Sequence, residues 1–282
     1  KPTMVTNLDQ IKVSGEDGKA PKVEGAWPLA IAKTESKILK EGTGEKVDKN
    51  ATLKVNYVGV NGRTGKEFDS SYKRGTTADF PLAQVVPGFA KGLVGKHQGD
   101  RVLIMMPGSD GYDSQGGAPQ AGIMKGDSLI FVVDIVAIPL PKATGETVKP
   151  AAGLPTVKEV QGAPAVTIGK ATKPNKLVVQ PLIKGKGAAV TAHDSIDVKY
   201  RTYAWSSGEL IEDGYSGEPV TGSMNSVIPG WKKGLIGQTV GSRVMLIVPP
   251  ADAYPNGSTN PPVKKGETLI YVIDILSAQK ES

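Results

Sequence analysis

The chain has no cysteine and only two histidines, His97 and His193. Disulfides, thiol nucleophiles and cysteine-ligated zinc are therefore excluded. A Ser-His-Asp triad or a histidine-rich metal site would need one of these two residues. Both stand in polar, turn-like contexts, and neither recurs elsewhere in the chain. Arginine is scarce as well: Arg63, Arg74, Arg101, Arg201 and Arg243 are the only ones among 34 basic residues. The formal net charge is +6, but the lysines are scattered among Gly and Pro rather than gathered in a stripe. That pattern reads as solvated surface and argues against a nucleic-acid partner. Aromatic residues make up 5% of the chain, so rings at fixed positions are informative. No apolar run approaches the ~18 residues of a membrane span. The best of them, Leu129 to Ile138, is broken by Asp134. The first residue is Lys1, not Met. This suggests a removed leader, and with it an extracytoplasmic location.

What the sequence does contain is a copy of itself. Val85 to Pro107, VVPGFAKGLVGKHQGDRVLIMMP, matches VIPGWKKGLIGQTVGSRVMLIVP at Val227 to Pro249, with 11 of 23 positions identical and no gap. Gly126 to Ile135 matches Gly266 to Ile275, and Val55 to Tyr72 matches Val198 to Tyr215. The spacing is far too long for a solenoid repeat and indicates a duplicated domain. The expected organisation is an extended lead-in over residues 1–34, a first copy over 35–140, a linker and second lead-in over 141–175, and a second copy over 176–282. The stretch Pro139 to Pro155 is rich in Pro, Gly, Lys and Thr, a composition that behaves as an exposed connector.

Strand signals dominate each copy. Leu53, Val55 and Tyr57 alternate with polar residues, as a half-buried strand requires. Val102, Ile104 and Met106 are read the same way. The segment LIFVVDI (Leu129 to Ile135) is β-branched and aromatic. The one helix candidate is PGFAKGLVG, Pro87 to Gly95. Proline suits its first turn, Phe89 and Leu93 fall at i and i+4, and Gly95 suits its end. The expected fold class is α+β: in each copy a curved antiparallel β-sheet wraps on one short helix.

The order Tyr57, Gly65, Phe68-Asp69-Ser70-Ser71, Arg74-Gly75, Val85-Val86-Pro87-Gly88-Phe89, Gly99-Asp100-Arg101, Tyr112 and Leu129-Ile130-Phe131 resembles the FKBP-type peptidyl-prolyl cis-trans isomerases. The resemblance runs from Leu39 to Ile138 and again from Val179 to Leu276. It implies tandem FKBP-like domains of the bacterial secreted or surface-anchored kind. It also implies an enzyme that isomerises X–Pro bonds and assists protein folding. The implied partners are proline-containing unfolded or flexible polypeptides, with rapamycin-type macrolides as further ligands. The chemistry asks for no cofactor and no metal. Rotation about a peptide bond breaks amide resonance against a barrier of ~18–20 kcal/mol, yet no covalent bond is made or cleaved. X–Pro bonds are those with a substantial cis population and slow exchange.

The resemblance also implies roles for individual residues. Phe89 would form the floor beneath the prolyl ring, where the family usually has Trp. Phe68, Phe80, Val85, Val86, Ile123 and Phe131 would line the pocket with Tyr57. The Val86 N–H and the Tyr112 hydroxyl would bind peptide carbonyls. Asp69 would bond to Tyr57 and pair with Arg74, making Tyr57, Asp69 and Tyr112 the catalytic set. In the second copy the corresponding pocket is Tyr200, Ile211, Glu212, Val227, Ile228, Trp231, Tyr254, Val263 and Tyr271. There Phe68-Asp69 has become Ile211-Glu212, Arg74 has become Gly217, and Gly222 aligns with Phe80. The first copy is therefore expected to carry more of the activity. Two other readings stay open: a non-catalytic chaperone or proline-peptide-binding module on the same fold, and a tandem β-sandwich adhesin or spacer. The repeated PGFAKGLVG helix argues against the sandwich.

Overall fold

The computed structural model describes residues 1–281; Ser282, the last residue of the expected second copy, lies outside them. The chain divides into two compact units, Lys1–Ile138 and Pro139–Ser282. Each is sheet-rich with few helices. No helix among the described residues is long and apolar enough to cross a membrane.

In the first unit the sheet runs, edge to edge, through strands Glu35–Lys40, Arg101–Met106, Leu129–Ala137, Thr52–Asn61 and Glu67–Ser70, while Ala78–Pro81 pairs with Thr52–Asn61. Every pairing in it is antiparallel. Leu53, Val55 and Tyr57 do share one face of their strand, with Val102, Ile104, Met106, Leu129, Phe131 and Val133 beside them. The helix Pro87–Leu93 packs on this face through Phe89 and Leu93. Gly92 permits close contact, since a Cβ there would stand 2.6 Å from Ile104 Cδ1. Gly234 repeats the device in the second unit, 2.6 Å from Leu246 Cδ2. A one-turn helix, Ser71–Arg74, joins the one expected helix, because Ser70 caps its start and Gly75 ends it at φ 75°.

The opposite face departs from expectation. Arg101–Met106 is buried at every position, not at alternate ones. Leu103, Met105, Ile130, Val132, Val58 and Val60 form a second apolar layer, closed by Val5, Leu8, Ile11, Leu29 and Ile31. Residues 1–34 are thus packed against the back of the sheet. Their strands Thr3–Met4 and Leu29–Ala30 pair with each other, and the Leu29 N–H donates to the Gly62 carbonyl at 2.8 Å. Arg101 fastens the same segment. Its guanidinium is paired with Asp134 and donates to the Lys19 carbonyl at 2.9 Å.

The second unit repeats the plan in the order Gly145–Thr147, Val178–Gly185, Arg243–Val248, Leu269–Lys280, Asp194–Ala204 and Leu210–Asp213, with Val220–Ser223 beside Asp194–Ala204. Its helix is Pro229–Leu235. A hairpin of Thr156–Val160 and Ala163–Thr167 supplies Val157 and Val166 to the back layer around Met245, Ile247 and Ile270. The Tyr203 hydroxyl and Arg201 hold this hairpin through the Pro164 carbonyl, at 3.0 and 3.1 Å.

Candidate active site

The first unit's site forms where the helix meets the sheet. Register sets Phe131 opposite both Gly59 and Ile104, and Tyr57 opposite Val133. Five rings follow from this arrangement. Phe89 lies 4.5 Å from Phe131 and 4.7 Å from Phe80 between centroids. Phe68 meets Phe131 edge-on at 5.6 Å, and Tyr57 lies 5.1 Å from Phe80. Val85, Val86, Tyr112 and Ile123 belong to the same cluster. Gly59 is a site residue that the sequence reading passed over. A Cβ there would come within 2.7 Å of Phe68 and 2.9 Å of Phe131. The available signal was a glycine inside a strand, which marks close approach by a neighbour.

Asp69 and Arg74 meet at the rim because the one-turn helix between them reverses the chain. Buried Ser71 ties this turn to the sheet by accepting from the Tyr57 N–H at 2.8 Å. The Tyr57 hydroxyl donates to Asp69, and Arg74 donates to the other Asp69 oxygen. Arg74 also donates to the Tyr57 oxygen at 3.2 Å, and its guanidinium stands 5.7 Å over the Tyr57 ring. Burial, followed by the Asp69 carboxylate, pushes the Tyr57 hydroxyl up to about 12. For Asp69 burial opposes ionisation, yet the hydrogen bonds from Tyr57 and Arg74 outweigh it and hold the carboxyl below its ordinary value. At neutral pH the tyrosine is protonated and the aspartate ionised. The Arg74 charge balances the carboxylate.

Tyr112 sits on a loop that is tied to the helix. Lys91 contacts both oxygens of Asp110 at 2.9 and 3.0 Å, and Thr34 donates to the same carboxylate at 2.6 Å. The second unit repeats the tie as Lys233 to Asp252 at 2.9 Å, two residues before Tyr254. Among the described residues, neither the Val86 N–H nor the Tyr112 hydroxyl has a partner within the protein, and the same holds for Ile228 and Tyr254. These are donors available to a ligand.

In the second unit Trp231 lies edge-on to Tyr200 at 4.9 Å and to Tyr271 at 5.5 Å. Ile211, Val227, Ile228 and Tyr254 pack around them, with Val263 buried in the same cluster. Glu212 accepts from the Tyr200 hydroxyl at 3.0 Å and from Thr202 Oγ1 at 2.9 Å. Thr202 occupies the position of Gly59. Ile211 stands in place of Phe68, the ring that a Cβ on Gly59 would approach to 2.7 Å in the first unit. The change of Phe68 to Ile211 is legible in the sequence, but its link to Thr202 at the position of Gly59 is not, because only the fold brings the two positions together.

A family model for FKBP-type peptidyl-prolyl cis-trans isomerases matches residues 43–136 and again 186–276. The chain belongs to that family and is an isomerase of X–Pro peptide bonds. It is 32% identical over 117 residues to a probable FK506-binding protein of Corynebacterium glutamicum, covering 41% of this chain and 98% of the relative. It is 36% identical over 107 residues to FkpA, an FKBP-type isomerase of Escherichia coli K12, covering 38% of each. A crystal structure of the three FKBP domains of wheat FKBP73 aligns with 88% of this chain and 96% of its own length, at 18% identity and a TM-score of 0.36.

Proposed function

We propose that the first unit is the more active isomerase and that it works on X–Pro segments of unfolded or flexible polypeptides. The observation that carries this reading is the charge-balanced Tyr57–Asp69–Arg74 network at the edge of the five-ring pocket. The prolyl ring rests on Phe89, among Tyr57, Phe68, Phe80 and Phe131. The flanking carbonyls accept from the Val86 N–H and the Tyr112 hydroxyl. A planar amide is more dipolar than a twisted one, so water-poor surroundings favour the twisted state. Because Arg74 compensates Asp69, a fixed hydroxyl stands beside the turning bond without a net charge that would hold the dipolar ground state. A thousandfold acceleration requires only ~4 kcal/mol. The second unit keeps a full aromatic floor, but its carboxylate is one methylene longer and has no arginine. This favours a peptide-binding role there, with weaker turnover.

The test is a protease-free exchange assay on a proline peptide, using the full chain and its Asp69→Ala and Glu212→Ala variants. Loss of most turnover in the first variant and little in the second is expected. The reverse order would overturn the ranking of the units. The reading extends to rapamycin-type macrolides, on the strength of the relative described as a probable FK506-binding protein. Competition between such a macrolide and the peptide checks it. An extracytoplasmic location is part of the same proposal. Fractionation with immunodetection tests it, and recovery with cytosolic markers would refute it.

A further inference from the structure

The two pockets share a tyrosine and a carboxylate at the rim but differ in the cation. In the first unit the cation is built in: the Arg74 guanidinium bonds Asp69 and stands 5.7 Å over the Tyr57 ring. In the second unit the equivalent pair is Glu212 and Tyr200, joined at 3.0 Å, and Gly217 replaces the arginine. No atom lies within 4 Å of where a Cβ on Gly217 would be. The flanking charges differ in the same sense. Residues 209–218 carry Glu209, Glu212, Asp213 and Glu218 with no basic residue. The matching residues 66–75 set Lys66, Lys73 and Arg74 against Glu67 and Asp69. Asp213 is balanced by Arg201 at 3.0 Å. Among the described residues, Glu209, Glu212 and Glu218 have no ion pair. The Glu212 charge reaches the hydroxyls of Tyr200, Tyr254 and Tyr271. After burial itself, it is among the causes that push all three up.

We infer that Glu212 makes the second unit's pocket selective for polypeptides with a basic residue beside the proline. The incoming guanidinium or ammonium takes the place that Arg74 fills in the first unit. It meets the carboxylate through charge-assisted hydrogen bonds and the Tyr200 face through its quadrupole. The first unit has no such preference, because its rim carboxylate is already paired. The two units thereby divide substrates by charge. This rests on the peptide-binding reading of the second unit given above, and the experiment separates the two.

The test uses the full chain and two short peptides that differ only before the proline, one with arginine and one with citrulline, its neutral near-isostere. Nuclear magnetic resonance follows the Trp231 indole signal for the second pocket and the Ile123 methyl signals for the first. At low salt the arginine peptide should shift Trp231 at about 3- to 10-fold lower concentration than the citrulline peptide, the range of a partly exposed ion pair with an aromatic face. Glu212→Gln, which removes the charge, keeps one oxygen to accept from Tyr200 and turns the other contact into an amide donor to Thr202 Oγ1, should make the two peptides equal, and Gly217→Arg should do the same. Raising the salt should shrink the preference. Equal affinity in the unaltered protein, or a preference that survives Glu212→Gln, overturns the inference alone. If neither peptide moves Trp231 while Ile123 responds, the peptide-binding reading falls and the inference falls with it.

Discussion

Replacing Leu103 by alanine tests whether the first 34 residues belong to the fold of the first unit. Leu103 is 1% exposed and lies in the back layer beneath Val5, Leu8, Ile11, Leu29 and Ile31. Were these residues a loose leader, Leu103 would face solvent, and truncating it would change stability by less than about 0.5 kcal/mol. Packed as it is, the substitution removes about three methyl or methylene groups from an apolar contact, at about 0.8 kcal/mol each. The unfilled space adds to this, and comparable core leucines lose about 3–5 kcal/mol in total. Trp27 packs on the same layer. With Trp205 and Trp231 replaced by phenylalanine, its fluorescence reports the first unit alone during urea unfolding of the full chain. A loss of about 3 kcal/mol, comparable to that from Ile104→Ala on the other face, is expected. A Leu103→Ala loss below about 0.5 kcal/mol would show that the lead-in does not seal the sheet.

Asp69 is held below its ordinary value of 3.8, so its pairing stabilises the first unit above that pH and the contribution fades as pH falls through the folded value. With Tyr57 raised to about 12, first-unit turnover should stay level from about pH 5 to pH 10; an ionisation near neutrality in the pH–rate profile contradicts the network. Gly59→Ala should cost about 1–3 kcal/mol by overpacking and lower first-unit turnover as Phe68 is pushed aside. The Gly59→Thr, Phe68→Ile double variant should recover the stability, as the second unit's Thr202 and Ile211 indicate; additive losses would argue that the two positions are independent. Arg243 is hydrogen-bonded to Asp274, itself 2% exposed, at 2.7 and 3.0 Å. Arg243→Met should therefore destabilise the second unit by about 3–5 kcal/mol, and adding Asp274→Leu should restore most of it. A thermal shift from the single variant no larger than that from the double would refute the burial argument.

The sequence by itself carried the duplication, the family and the helix. Eleven identities in 23 aligned positions, a proline opening Pro87–Leu93 and rings at fixed intervals are local facts, visible without knowing what touches what. Alternation likewise assigned Tyr57 and Val55 to one face, because successive side chains on a strand point to opposite sides. It could not say whether the other face was covered. Leu103 and Met105, apolar between apolar neighbours, hinted that it was, since strands buried on both sides read as unbroken hydrophobic runs. What covers them is more than 60 residues away in sequence at Leu29 and Ile31, and only chain folding brings such segments together. The rim chemistry was decided in the same way. An aspartate and an arginine five residues apart become a balanced pair only because Ser71 bonds the sheet and Gly75 ends the turn between them. In the other unit, the loss of that arginine and the gain of Thr202 leave a carboxylate held by hydroxyl groups alone. Spacing along the chain sets which side chains can share a face, but only the three-dimensional packing determines which charges are left without a counter-charge.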